Sequence, residues 1–495
     1  MLKHFNRRVP RVALVLLLAT LVSIPSAGRG TADAGSAFSF TNFELASTTG
    51  TVCPPLPGTT SANPCSNDAG EPQIRAANDG ALYTSAAGSG LFAWKSDDGG
   101  RHYRTLPAPD PLALSSGDAD VAIAPVKNPI GFYNIYLANL GFSNVDVITS
   151  RDGGQTWTVN PLGALVPGTD RPWLAADGAA KVCLSYISIT TGDLLVNCSV
   201  DGGSTFSQLA SALDPDHLWL LRDTAPGNLV IDPRSHTMYQ IFTSNRTESE
   251  SLSTQRCSPN RTSCDAVWIA VSTDGGNTFT DHLVYASPDP SVNYAKAFPN
   301  LSVDRAGNLY AVFSDGHNVY YSVSTAQGET WSASVQVNRS PANTAIMPWS
   351  VAGDAEQLDI VWYGTSYVES NVLPDDYPDG VAWYVFFAQN LRATTPGSSF
   401  TQAIASPVVH TGNVCQQIAP ICNSTGKSRD LLDDFGVAAS PKTGTASIIY
   451  TSDQYTADPN NPPNAACTQD SDNTSACIHT SVATQLDGPS IFDAR

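Results

Sequence analysis

The stretch Ser150–Trp157 reads SRDGGQTW, and the same octet, Ser-x-Asp-x-Gly-x-x-aromatic, returns three more times. It is SDDGGRHY at Ser96–Tyr103, SVDGGSTF at Ser199–Phe206 and STDGGNTF at Ser272–Phe279. A fifth copy, Ser324–Trp331 (STAQGETW), has Ala326 where the others have Asp, and a faint sixth at Ala393–Phe400 keeps only Gly397 and Phe400. Each octet has the chemistry of a corner. A strand ends at Ser, the Asp carboxylate accepts amides of the turn it closes, Gly supplies a positive φ, and the aromatic opens the next strand. Successive octets start 54, 49, 73, 52 and 69 residues apart. A period of this size marks a repeat architecture, in which each unit buries its apolar face against its neighbours.

Working outward from the octets, each is preceded by an inner-strand candidate. These are Glu71–Ile74, Asp118–Ala124, Arg171–Leu174, Gly227–Asp232, Phe298–Leu301, Met347–Ser350 and Asp434–Ala439. A short turn then leads to an alternating second strand, as in Leu309–Ser314, Leu358–Tyr363 and Ala446–Thr451. The expected fold is all-β, a single β-propeller of four-stranded blades, with seven blades and six as the alternative. The seventh unit lacks an outer strand of its own after Cys477–Val482. The alternating segment Phe38–Phe43 is expected to supply it and close the ring, which would otherwise leave an unpaired edge.

The octets resemble the Asp-box, or bacterial neuraminidase repeat, of sialidases and related propellers. The resemblance implies that Asp98, Asp152, Asp201 and Asp274 are structural, each in a turn between the third and fourth strands of a blade. It also implies glycoside hydrolysis of the exo-sialidase kind on extracellular glycans. Family members open the first inner strand with an Arg-Ile-Pro motif and clamp the substrate carboxylate with three arginines. Here Pro72 is preceded by Gly70 and Glu71, so that arginine is missing.

Composition agrees with a turn-rich exported chain. The 495 residues include 37 Gly and 34 Pro, and the net charge is −19, which disfavours nucleic acid as a partner. Residues 1–34 read as a signal peptide, with Lys3, Arg7, Arg8 and Arg11 before a short apolar run and Ala32-Asp33-Ala34 at the cleavage site. That run is too short to span a membrane, so a secreted, monomeric protein is expected. Residues 35–70 would form the closing strand and a stapled loop, and residues 71–495 the propeller. Ten cysteines fall into five local pairs, expected as disulfides: Cys53 with Cys65, Cys183 with Cys198, Cys257 with Cys264, Cys415 with Cys422 and Cys467 with Cys477.

Strand order places the functional face opposite the octets, where inner strands start and three long loops rise: Thr243–Asp265, Gly364–Val381 and Ser452–Ala476. There Glu71, Asp170 and Asp434 are the candidate carboxylates and Tyr363 a candidate nucleophile. Arg171, Arg222, Arg429 and Lys296 are candidates to bind a substrate anion, with Trp173 and Trp349 as sugar-stacking faces. The alternative is a non-catalytic propeller that binds glycan or protein through the same face. No cofactor or catalytic metal is expected. The acidic loop with Glu369, Asp375, Asp376 and Asp379 is the candidate for a structural calcium.

Overall fold

The computed structural model describes residues 37–47, 69–110, 116–141, 144–222, 224–253, 264–296, 298–417, 419–454 and 478–492. Residues 1–34, expected as a signal peptide, lie outside them.

Seven four-stranded antiparallel sheets follow one another around a ring. Their inner strands are Gly70–Ala76, Ala119–Lys127, Thr169–Asp177, Ala225–Ile231, Asn300–Val303, Thr344–Ala352 and Gly436–Ala439, the innermost strands of blades one to seven. Blade count seven is therefore the observed one. In blade seven the outermost strand is Ser39–Glu44, paired antiparallel with His479–Asp487 in the register Phe43↔Val482 and Glu44↔Ser481. The ring closes through that N-terminal strand. Phe38 and Phe40 set their ring edges against Phe387 of blade six, at centroid distances of 4.9 and 5.3 Å, so the clasp also crosses a blade boundary.

Hydrophobic packing runs between blades. Ala122, Tyr136 and Val147 of blade two meet Leu174, Leu184 and Tyr186 of blade three. Tyr310, Val312 and Tyr321 of blade five meet Ile360, Trp362 and Phe386 of blade six. Strands buried on both faces explain why the second strands, such as LYAVFS at Leu309–Ser314, read as nearly continuous apolar runs. Complete burial of one such aromatic is worth about 1.5–3 kcal/mol.

The four intact octets each join a third strand to a fourth. In the second, Ser150 Oγ donates to Asp152 Oδ1 at 2.8 Å, and Gly154 N–H donates to Ser150 Oγ at 2.8 Å. The N–H groups of Gln155 and Thr156 donate to Asp152 Oδ1 at 3.1 and 2.9 Å, and the Thr156 hydroxyl donates to Oδ2 at 2.6 Å. Gly153 and Gly154 take φ of 76° and 86°, a backbone region that side-chain-bearing residues rarely enter. Where Ala326 replaces the Asp, Ser324 Oγ still accepts the N–H of Ala326 and Gly328, so the serine half of the corner survives alone.

Of the five expected disulfides, two have both cysteines within the described residues, and both are closed. Cys183–Cys198 links directly paired residues of the second and third strands of blade three, and Cys415–Cys422 staples the connection from blade six to blade seven. The other three expected pairings each have at least one cysteine outside the described residues. Cys53 and Cys65 lie outside the described residues, and so do Cys467 and Cys477. Cys264 is described: it is fully buried against Ala295 and disulfide-bonded, while Cys257, its expected partner, lies outside the described residues. No described helix is long and apolar enough to cross a membrane.

Candidate functional site

The site begins with a backbone irregularity shared by three blades. In Gly70-Glu71-Pro72-Gln73, Asp170-Arg171-Pro172-Trp173 and Ile346-Met347-Pro348-Trp349 the strand pairing slips by one residue at the start of the inner strand. Proline has no N–H to give the ladder, which suits it to such a bulge. The residue before it takes a positive φ: 49° at Glu71, 59° at Arg171 and 53° at Met347. Outside glycine this conformation costs about 1–3 kcal/mol and concentrates at functional sites. Gly70 packs closely too, since a Cβ there would stand 2.3 Å from Leu432 Cδ1, in the loop that opens blade seven, and Leu432 would have to shift.

That loop brings Arg429, Asp433 and Asp434 to Glu71 and Arg171. Arg171 Nη1 and Arg429 Nη2 both donate to Asp433 Oδ2, each at 2.5 Å. Arg429 Nη1 stands 3.9 Å from Glu71 Oε1, and Arg171 Nε 3.9 Å from Asp170 Oδ2. Asp434 Oδ2 accepts from Gln73 Nε2 at 2.9 Å. The Arg171 guanidinium also lies over the Phe298 ring, 4.4 Å from its centroid.

This arrangement drives its carboxyl groups apart. Burial, then the charges of Asp118 and Asp433, push Glu71 well above the ordinary carboxylate range. Burial, Asp118 and Asp433 do the same to Asp434. Burial works against the Asp433 anion too, yet the guanidiniums of Arg171 and Arg429 outweigh it and hold Asp433 low. Asp170 is raised by burial, with Arg171 opposing. One carboxyl group is thus held low beside three that are raised.

The space that Glu71, Asp118, Arg171, Trp173, Phe298 and Asp434 enclose is about 10 Å³, room for a single water at most. Trp173 packs on Phe298 and Trp349 at 5.4 and 5.3 Å, and its Nε1 is buried without a hydrogen-bond partner. Trp349 also borders a larger cavity of about 380 Å³, lined by the far ends of the inner strands through Asn228, Asp232, Asp304 and Arg305. Among the described residues the octet end of the channel thus holds a sizeable space, and the space between Glu71, Arg171 and Asp434 is small.

The expected residues divide accordingly. Glu71, Asp170, Arg171, Arg429 and Asp434 meet. Trp173 and Trp349 are each 3% exposed and serve as channel filling, with no face left at the rim for a sugar to stack on. Lys296 pairs instead with Asp375, 3.7 Å away. Tyr363 is fully buried, donates to Thr451 O at 3.1 Å and accepts from Thr451 N–H at 2.9 Å, so its hydroxyl ties blade six to blade seven. Arg222 ends a 3₁₀ segment, Pro215–Arg222, and its side chain lies outside the described residues. The acidic loop does not converge: Asp375 goes to Lys296, Asp376 to Lys427 and Glu369 to the Tyr367 hydroxyl.

Sequence reading passed over Gln73 and Asp118. Asp118 supplies like charge to Glu71, Asp170 and Asp434, and Gln73 donates to Asp434. The available signal was position, since Asp118 stands just before its inner strand as Asp434 does before its own.

No protein family matches the chain, and no curated protein matches it. Similar solved structures include the endosialidase of phage phi92, at 11% identity over 92% of this chain and 70% of that one, with a TM-score of 0.45. An α-L-arabinofuranosidase of Fusarium graminearum, crystallised with an iminosugar inhibitor, is 15% identical over 74% and 97%, with a TM-score of 0.44. A lectin of Aleuria aurantia is 11% identical over 68% and 95%, with a TM-score of 0.40. Likenesses this distant carry no assignment of activity.

Proposed function

We propose that the chain is a secreted glycan-acting propeller and that its charged channel end is the reacting centre of a glycoside hydrolase. The observation that carries this reading is the division of carboxyl groups: Asp433 held ionised, Glu71 and Asp434 held toward their protonated forms. Hydrolysis of a glycosidic bond uses such a pair, one group donating a proton to the leaving oxygen and the other acting as base or nucleophile. The strained backbone at Glu71 and Arg171 supports the same reading. Sialoside hydrolysis asks for more, because a substrate carboxylate would have to replace Asp433 between the two guanidiniums. The disulfides support an extracellular setting.

A second reading, a glycan-binding propeller without turnover, is favoured by the small volume between Glu71, Arg171 and Asp434. A panel of fluorogenic glycosides, sialosides included, separates the two. The hydrolase reading predicts turnover of at least one substrate and loss of about a hundredfold or more in Glu71→Gln or Asp434→Asn. Absence of turnover across the panel, with glycan binding retained on an array, would sink it.

A further inference from the structure

His410, Asp430 and Asp453 form a second cluster, separate from the arginine pair. They come from the outer strand of blade six, the loop that opens blade seven, and the end of the second strand of blade seven. One donor atom from each lies within 4.8 Å of the others. His410 is 2% exposed. Its Nε2 faces the Asn413 carbonyl at 2.8 Å; a carbonyl only accepts, so Nε2 carries the proton. Nδ1 is left facing Asp453 Oδ2 at 2.6 Å. Asp430 is 6% exposed; its Oδ2 accepts from Ser428 Oγ at 3.1 Å, while Oδ1 is buried and accepts nothing.

The surroundings brace these groups. Asn413 holds His410 through its carbonyl, and through Oδ1 it accepts the N–H of Ser428, whose hydroxyl holds Asp430. A histidine that gives its other N–H to a backbone carbonyl is the usual arrangement of an imidazole ligand. We propose that His410 Nδ1, Asp430 and Asp453 bind a divalent first-row transition ion of the zinc class. One imidazole with two carboxylates fits such an ion, whereas calcium asks for six to eight oxygens. Asp430 directly follows Arg429 and stands shortly before Asp433, so the bound ion pins the loop that presents both to Arg171.

The test uses the full-length protein stripped with chelator, with ZnCl₂ followed by calorimetry and CoCl₂ by visible absorption. The result expected is one ion per chain, cobalt bands of a nitrogen-and-oxygen site, and binding weakened about tenfold or more in Asp430→Asn and Asp453→Asn. Those two variants preserve side-chain shape and carry the test should His410→Gln fail to fold. Absence of uptake by the wild-type chain would overturn the proposal and leave a proton shared between the imidazole and the carboxylates. Uptake unchanged in both Asn variants, or calcium bound in preference to zinc, would overturn it equally.

Discussion

The two ends of the propeller channel use the same residue type to opposite effect. On the octet face Asp98, Asp152, Asp201 and Asp274 are served by hydroxyls and amides from their own turn. Hydrogen bonds from Thr205 and Ser199 draw Asp201 down to about 2. On the opposite face Asp433 and Asp434 are buried among groups from other blades, and Arg171, which holds Asp433, is 262 residues away in sequence. A carboxylate satisfied by its own turn is a local and replaceable corner. One satisfied across the ring depends on the whole fold and keeps its chemistry available.

The largest effect expected from breaking this contrast is at Asp433. Removing it in Asp433→Ala leaves two guanidiniums facing each other, and loss of one partner from a buried ion pair costs about 3–5 kcal/mol. Denaturant unfolding at neutral pH measures this, and a cost below about 1 kcal/mol would show the arginines to be adequately solvated without it.

The pH dependence should differ in sign between neighbours. Glu71 and Asp434 are raised on folding, so the folded chain keeps protons that the unfolded chain releases, and stability falls as pH climbs above the ordinary carboxylate range. Asp433 is lowered, and its contribution is present above that range and lost as pH falls through the folded-state value. Glu71→Gln should therefore gain stability relative to wild type as pH climbs above the ordinary carboxylate range. A difference that stays flat with pH would place Glu71 in water.

Smaller effects sharpen the picture. Tyr363→Phe should cost about 1 kcal/mol by stranding the Thr451 backbone, and leave any glycosidase turnover in place. Abolished turnover in a folded variant would return Tyr363 to the reacting centre. The mildest change is Asp201→Ala, at about 1 kcal/mol or less because its turn is exposed and water competes for the amides. Thermal melts of the two variants measure both costs.

Much of the fold was legible because it is written in local patterns. The octets carry their own partners within six residues, and the alternating FSFTNF at Phe38–Phe43 carries the edge that completes blade seven. The charged end was legible only as a roster of strand starts. Sequence grouped Glu71, Arg171 and Asp434 at the starts of inner strands, since strand direction decides that. It gave no account of which oxygen the arginines share, of Gln73 on Asp434, or of Trp173 and Trp349 turning inward to fill the channel. Those outcomes depend on how seven blades tilt toward one axis. The cluster of His410, Asp430 and Asp453 was hidden for the same reason, each residue looking unremarkable in its own segment.

The central claim is that adjacent carboxyl groups at one channel end hold different protonation states. Carboxyl-carbon NMR titration of selectively labelled protein, with Asp433→Asn, Asp434→Asn and Glu71→Gln for assignment, reads this directly. Glu71 and Asp434 should titrate above the ordinary carboxylate range and Asp433 below it. All three titrating together near the values of free side chains would contradict the account.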